Sequence, residues 1–402
     1  MTPTARDAPP EPGMPSLWPL ILRITGPATC FETAAWSLLP VLTIAAIQSG
    51  FSGIVVGLIG GALPAGLIAM LLLLSNEARF RRYAAFLPLA ARLHPLMILM
   101  IGLAMYFLSG PLFLLAVAGA AFLTGCVTAL LWVGSDAVLL AHAPRQAIGK
   151  AVTLHEIVRS CGLGLGPLTI ALLGGDPLPG MAFVLALSTS GLALAIFLPM
   201  PPAIPDAAAF EEPANAPRSG AMPAVILLAG FGGLLEAIEA TEFPAYALAL
   251  GATAAIAAGF AAAAGLGNLV GQLALGVAID RHPRAAFNVT GVLIPLGLAL
   301  FALVGGQALA FAPLALLGAA SGVLYTLAVI VTASTGTPQG LVARAALAYT
   351  TGAALGPPLG SMMSQADQRL GMPLGLIILS VVIFLIPAVR QAATRAAVVA
   401  PE

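Results

Sequence analysis

Apolar stretches of membrane length recur from Trp18 to Pro387, broken by short polar or Pro/Gly-rich punctuation. A crossing helix needs about 20 residues to traverse about 30 Å of hydrocarbon, and on that measure the pattern predicts about twelve crossings. The predicted helices span 18–46, 54–74, 84–108, 112–139, 148–173 and 181–198, then 222–247, 252–279, 286–304, 308–332, 341–363 and 373–387. One long polar interruption, 199–221, carries Asp206, Glu211, Glu212 and several prolines. It predicts a cytoplasmic linker between two six-helix units, 17–198 and 222–389, with tails at 1–16 and 390–402. The expected fold class is all-α integral membrane, with 12 transmembrane helices as two six-helix pseudo-repeats.

Composition narrows the class further. Of 402 residues, 60% are hydrophobic and 8% are charged, against about 25% charged in soluble globular domains. That composition weighs heavily against a soluble fold. The formal net charge of zero conceals an asymmetry in the 16 Lys and Arg residues. Arg6, Arg79, Arg81, Arg82, Arg145, Lys150, Arg218, Arg281, Arg284, Arg344, Arg390 and Arg395 fall in the tails and in alternate loops. The opposite loops hold Arg369, while Arg23 and Arg92 lie near helix entrances. By the positive-inside rule both termini face the cytoplasm, which requires an even number of crossings. The tail 1–16 contains Asp7 and Glu11 and lacks a signal-peptide pattern, so the first helix is expected to remain. Cys30, Cys126 and Cys161 have neither disulfide nor metal spacing and are expected to pack in the interior.

The two halves repeat one another. Glu32-x7-Pro40 in the first helix matches Glu236-x7-Pro244 in the seventh. Arg81-Arg82 after the second helix has Arg281 and Arg284 after the eighth. Gly162-Leu-Gly-Leu-Gly166-Pro167 in the fifth answers Gly352-Ala-Ala-Leu-Gly356-Pro357 in the eleventh. The stretch Gly276-Val-Ala-Ile-Asp280-Arg281-His-Pro-Arg284 resembles the loop motif G-x-x-x-D-R-x-x-R of the major facilitator superfamily. The segments Phe122-Leu-Thr-Gly125, Gly162–Pro167 and Leu324-Tyr-Thr-Leu327 are similar to a branch of bacterial permeases in that superfamily. The first-half loop, Ser75 to Arg82, keeps the basic end of the motif without its Gly and Asp-Arg core. The resemblance implies two bundles around a central cavity that rock to expose it to either side, a mechanism suited to parallel repeats with a midplane site.

Chemistry concentrates in six acidic residues within apolar segments: Glu32, Asp136, Glu156, Glu236, Glu239 and Glu242. Arg159 is the one basic residue clearly embedded with them. A carboxylate in hydrocarbon costs about 2.5–3.5 kcal/mol by insertion scales, so these groups are paired, wet or protonated. Glu32 and Glu236 each lie roughly 21 Å along their helices at 1.5 Å per residue, just beyond the midplane and on matching helices. They are the expected proton-coupling groups, with Glu239 close enough to Glu236 to share a proton. Structural hydrogen bonding to a neighbouring helix is the alternative for each. Glu242 is expected at the outer interface.

Arg159 starts roughly 16 Å into its helix. It is expected either to staple to Glu156, three residues earlier, or to attract an anionic substrate group and alternate between Glu156 and Glu32. Asp136 is expected to latch onto Arg79, Arg81 or Arg82 at the cytoplasmic face, and Asp280 with Arg281 and Arg284 to do the same in the second half. Gly162, Gly166, Pro167, Gly352, Gly356 and Pro357 permit close helix approach and local bends. Trp36 and Trp132 are expected at opposite interfaces as anchors. No catalytic, metal-binding, cofactor-binding or nucleic-acid-binding motif is present in the sequence, which reads against an enzyme.

The expected function is a secondary active transporter of a small organic solute, proton-coupled and more suited to export. The expected setting is a bacterial inner membrane, with a monomer working in the lipid bilayer. Uptake of an anionic metabolite through Arg159 is the first alternative. A non-transporting scaffold, or a pigment- or lipid-handling assembly factor of the same fold, is the second.

Overall fold

The computed structural model describes residues 18–74, 86–142, 148–198, 222–279, 282–333 and 338–391. The predicted linker 199–221 and the tails through residue 16 and from residue 392 lie outside the described residues. The described elements are almost entirely helical. They run α1 Trp18–Gln48, α2 Gly53–Leu74, α3 Leu87–Phe107, α4 Gly110–His142, α5 Ile148–Leu172 and α6 Pro177–Phe197. Then follow α7 Met222–Ala249, α8 Ala254–Ile279, α9 Pro283–Val304, α10 Phe311–Ala333, α11 Pro338–Ala366 and α12 Gly371–Leu385. Among the described residues, nine helical stretches are long and apolar enough to cross a bilayer by length and composition. Shorter apolar stretches are Ile157–Leu172 in α5 and Gly371–Leu385 in α12.

Local chemistry explains the helix ends. Between α5 and α6, Gly174 and Gly175 take φ of 86° and 72°, a left-handed region open to glycine without steric cost. Asp176 then caps α6 by accepting a hydrogen bond from the Leu178 amide, with Pro177 at the first helical position. Prolines also stand inside helices, such as Pro40 in α1 and Pro244 in α7, where each removes one backbone donor from the helical ladder.

The distribution of side chains is inverted relative to a water-soluble bundle. Large apolar groups such as Leu115, Leu172, Phe197 and Leu303 are 71–81% exposed, while Glu32, Glu239 and Glu242 are buried. In water such a surface would aggregate. In hydrocarbon it is the stable arrangement, because a helix satisfies most of its backbone polar groups internally. The molecule is a multi-pass membrane protein of all-α class.

Helix contacts fall into two groups. Within α1–α6, α2 packs on α4, α3 on α4 and α6, and α1 on α4, α5 and α6. Six helices later, α8 packs on α10, α9 on α10 and α12, and α7 on α10 and α11. The groups meet where α5 packs on α8, α2 on α11 and α1 on α7. The apolar cores divide the same way: one is built of side chains from α7–α12 joined by Trp132, the others of side chains from α1–α6 joined by Ala258.

Glycine makes the closest of these approaches. A Cβ on Gly352 of α11 would lie 1.8 Å from the Gly230 carbonyl oxygen of α7, and one on Gly162 of α5 would lie 2.0 Å from Thr33 Oγ1 of α1. Gly166 and Gly356 stand against Ser37 and Leu234 in the same two interfaces. Between the groups, Gly57 and Gly61 of α2 meet the backbone of Pro357 and Ala354 on α11, and Gly175 meets Ala254. These last contacts bring the groups together at the end that carries the α1–α2, α5–α6, α7–α8 and α11–α12 turns.

Candidate functional site

A chamber with about 770 Å³ of space not filled by atoms, counting its open side, lies between the two helix groups. Its lining follows helical spacing. Glu32 and Trp36 on α1, Thr128 and Trp132 on α4, Arg159 and Leu163 on α5, and Asn268 and Gln272 on α8 are each i,i+4 pairs, so each helix presents one face to the chamber. Glu236, Tyr325 and Tyr349 complete the polar part from α7, α10 and α11.

On the first-group side, Arg159 Nε donates to Glu32 Oε2 at 2.5 Å. The two side chains are 15% and 7% exposed, so the pair is held largely out of water. The guanidinium carbon lies 5.0 Å from the centroid of the Trp132 ring, within range of a cation–π attraction. On the second-group side, Tyr349 Oη donates to Glu236 Oε2 and Asn268 Nδ2 donates to Glu236 Oε1 at 3.1 Å. The Tyr325 and Tyr349 rings meet edge to face, 5.2 Å apart. Gln272 is fixed by donating to the Gly322 carbonyl at 2.6 Å and accepting from Thr326 Oγ1 at 3.2 Å. Trp132 Nε1, a donor, and Asn268 Oδ1, an acceptor, are buried polar atoms of the lining that make no hydrogen bond among the described residues.

Glu239 is buried one turn past Glu236 and accepts a hydrogen bond from Ser321 Oγ on α10 at 2.9 Å. Both carboxyls also line a smaller adjoining cavity of about 350 Å³, beside Trp36 and Pro167.

Several sequence expectations need correction. Glu242 is not at a solvated interface: it is 3% exposed and its Oε2 lies 2.8 Å from Ser361 Oγ. Position along one helix sets depth, whereas the packing of α11 against α7 decides exposure. Trp36 and Trp132 are not interfacial anchors, since both line the chamber and Trp132 is 8% exposed. Their rings close the gap between the helix groups. The cysteines are free and half-buried rather than packed away.

Other predicted residues fall where little is described. Glu156 and Asp136 sit on α5 and α4, but their side chains lie outside the described residues, as do Arg81, Arg82, Asp280 and Arg281 altogether. Arg284 is exposed in the first turn of α9. His155 is buried and its Nδ1 is 2.8 Å from Thr25 Oγ1, which accounts for it as a helix-packing group. Asn268, Gln272, Tyr325 and Tyr349 escaped the sequence reading. The signal available was the i,i+4 amide pair in the otherwise apolar α8, and two of only five tyrosines in the chain.

No protein-family model matches the sequence, and no curated protein matches it. Solved structures do. The chain is similar to a nucleoside transporter, NupG, at 13% identity with a TM-score of 0.65, covering 93% of this chain and 99% of that one. A bacterial homologue of the human lysosomal transporter Spinster, in an inward-facing and unoccupied conformation, gives 16% identity and a TM-score of 0.64, covering 96% and 95%. A D-xylose-proton symporter gives 15% identity and 0.67, covering 91% and 97%. At these identities the likeness establishes a fold.

Proposed function

Taking as its premise that the chain has a fold of the major facilitator type, we propose that this protein is a secondary active transporter of a small organic solute. In this reading it works by alternating access, as two six-helix units joined through residues 199–221. The observation that carries the reading is the meeting of two acid-centred clusters in one chamber: Glu32–Arg159 from the first helix group and Glu236–Tyr349–Asn268 from the second. A polar, partly open chamber between matched groups is what a carrier requires, whereas a scaffold of this fold would favour a closed interface.

The charge of the lining supports the proton-coupled part of this reading. Among the described lining residues, Arg159 is the one cation and stands with two carboxyls, Glu32 and Glu236. One guanidinium balances one carboxylate, so the lining changes net charge when it exchanges a proton. Solute and proton then compete for the same polar groups, and occupancy by either sets which bundle arrangement is favoured. Export against an inward proton flow, at a bacterial inner membrane with both termini cytoplasmic, is the working direction. Uptake of a free anion at Arg159 is less favoured, because any anion must displace Glu32, held at 2.5 Å, or bind only once Glu32 has taken up a proton. Asp136, Arg81, Arg82, Asp280, Arg281 and Arg284 are assigned the cytoplasmic latch.

The test begins with a ligand-stabilisation screen of purified protein at two pH values, using small organic cations, anions and neutral solutes. The best binder is then followed in proteoliposomes. Glu32→Gln is expected to abolish flux driven by a pH gradient while preserving solute counterflow. Gradient-driven flux equal to that of the unaltered protein rejects the coupling role.

A further inference from the structure

Glu242 lies six residues beyond Glu236 on α7, at the end where the two helix groups are packed. Its Oε2 is 2.8 Å from Ser361 Oγ of α11, and the same hydroxyl is 2.9 Å from the Gly53 carbonyl oxygen at the start of α2. A serine hydroxyl has one proton to donate and two lone pairs with which to accept. It cannot donate to both oxygens at once in two full hydrogen bonds. Both contacts are complete when Ser361 donates to Gly53 and a protonated Glu242 donates to Ser361. If Glu242 is ionised, it competes for the single hydroxyl proton, and the bridge from α11 to α2 is weakened. The ionised group would also sit 3% exposed with Oε1 making no hydrogen bond within the protein.

The surroundings offer no compensating charge among the described residues. Among the described residues, Ser361 makes the side-chain hydrogen bond to this carboxyl. On α7, Glu239 is one turn nearer the chamber and held by Ser321, and the Tyr246 hydroxyl donates to the Arg369 carbonyl. No Asp, Glu, Lys or Arg occurs in α2, in α8, in α10, or in α1 beyond Glu32. Asp367 and Arg369 are exposed past the end of α11.

We propose that Glu242 is a proton-binding site whose occupancy ties α2 of one helix group to α7 and α11 of the other, so that loss of the proton releases this end. The proposal rests on the alternating-access reading and adds a second proton site, remote from the chamber, that acts on closure. A single linked proton changes the closed-to-open ratio by at most about tenfold per pH unit.

Cysteines replacing Ser49 and Gln365, both exposed on opposite helix groups, would carry spin labels in full-length protein whose three native cysteines are changed to serine. The distance distribution is recorded from pH 5 to 9 in nanodiscs. The starting protein is expected to shift from short to long distances as pH rises, approaching tenfold per unit over the titrating range. Glu242→Gln, whose amide can still donate, should stay short at every pH, and Ser361→Ala should populate the long distance even at pH 5. A pH response in Glu242→Gln equal to the starting protein, or no response in the starting protein, overturns the proposal. Solute binding to the chamber, followed separately by tryptophan fluorescence, would survive either result if the transporter reading holds. Should Glu242→Gln not fold, Ser361→Ala decides: a short distance retained at pH 5 overturns the proposal.

Discussion

Removing the carboxylate of Glu32 should expose how much the Arg159 pair contributes to the fold. The pair is short, at 2.5 Å, and its side chains are 15% and 7% exposed, so it belongs with buried rather than surface ion pairs. With charge centres about 4 Å apart and an effective dielectric of 20, the attraction is about 4 kcal/mol. Desolvation offsets most of that in the intact pair, yet breaking a buried pair typically costs about 3–5 kcal/mol. Glu236 lines the same chamber as Arg159, so it maintains part of the field at Arg159 after Glu32 is lost. The expected coupling therefore falls below that range, at about 2 kcal/mol. The assay is a double-mutant cycle of Glu32→Gln, Arg159→Gln and the combination, read by equilibrium unfolding in detergent micelles. Loss of Arg159 contact with Trp132 appears in both arms of the cycle and cancels. Each single change should destabilise more than its share of the double. Strict additivity, with coupling under about 0.5 kcal/mol, would refute the pairing as the organising contact of this side of the chamber.

Further outcomes follow from other contacts. Gly352→Ala places a Cβ 1.8 Å from the Gly230 carbonyl oxygen and should cost about 1–3 kcal/mol through overpacking. Gly119→Ala, with nothing within 4 Å, should leave stability unchanged or slightly raised, and paired thermal melts check both. Trp36 and Trp132 are two of only three tryptophans, and both line the chamber. A bound solute should quench or shift their emission, and Trp132→Phe should remove a large part of that signal; an unaltered titration amplitude would place the solute elsewhere. At the α11–α12 turn, Asp367 Oδ1 accepts from the amides of Arg369 and Leu370 at 2.8 and 2.6 Å. Those amides hold its carboxyl below the usual value, so its contribution is present above the unfolded-state value and lost as pH falls through the folded one. Amide exchange at Leu370 should accelerate in Asp367→Ala at neutral pH, and rates equal to those of the unaltered chain would show the turn to be independent of this carboxylate.

Much of the architecture is legible from hydrophobic periodicity alone. Every predicted helix has a counterpart whose described ends differ by a few residues, because a long apolar run bounded by Gly, Pro or charge leaves little choice in a membrane. The Glu32 and Glu236 match was visible because a carboxyl in an apolar helix is costly and stands out. What could not be read was direction around the helix axis. Glu242 at its depth could face water, lipid or protein, and only the approach of Gly360 on α11, whose Cβ would stand 2.7 Å from Glu242 Cγ, reveals the last. Trp132 and Tyr349 are ordinary apolar-helix residues until α4 and α11 converge on Arg159 and Glu236. Arg159 offered two carboxylates in sequence, three and 127 residues away, and local spacing alone cannot rank a partner on another helix.

In the proposed cycle the chamber between the helix groups is reached from both faces of the membrane in turn. Thr128 lines it and bonds only within its own helix, to the Thr124 carbonyl oxygen, so Thr128→Cys in a background lacking the three native cysteines is a gentle reporter. A membrane-impermeant maleimide is added to oriented proteoliposomes from one face or the other, across imposed pH gradients and with the best-binding solute. The account predicts labelling from each face, with the ratio between faces moved by the gradient and by Glu32→Gln. Labelling confined to one face, or absent from both, under every gradient and solute condition would contradict it.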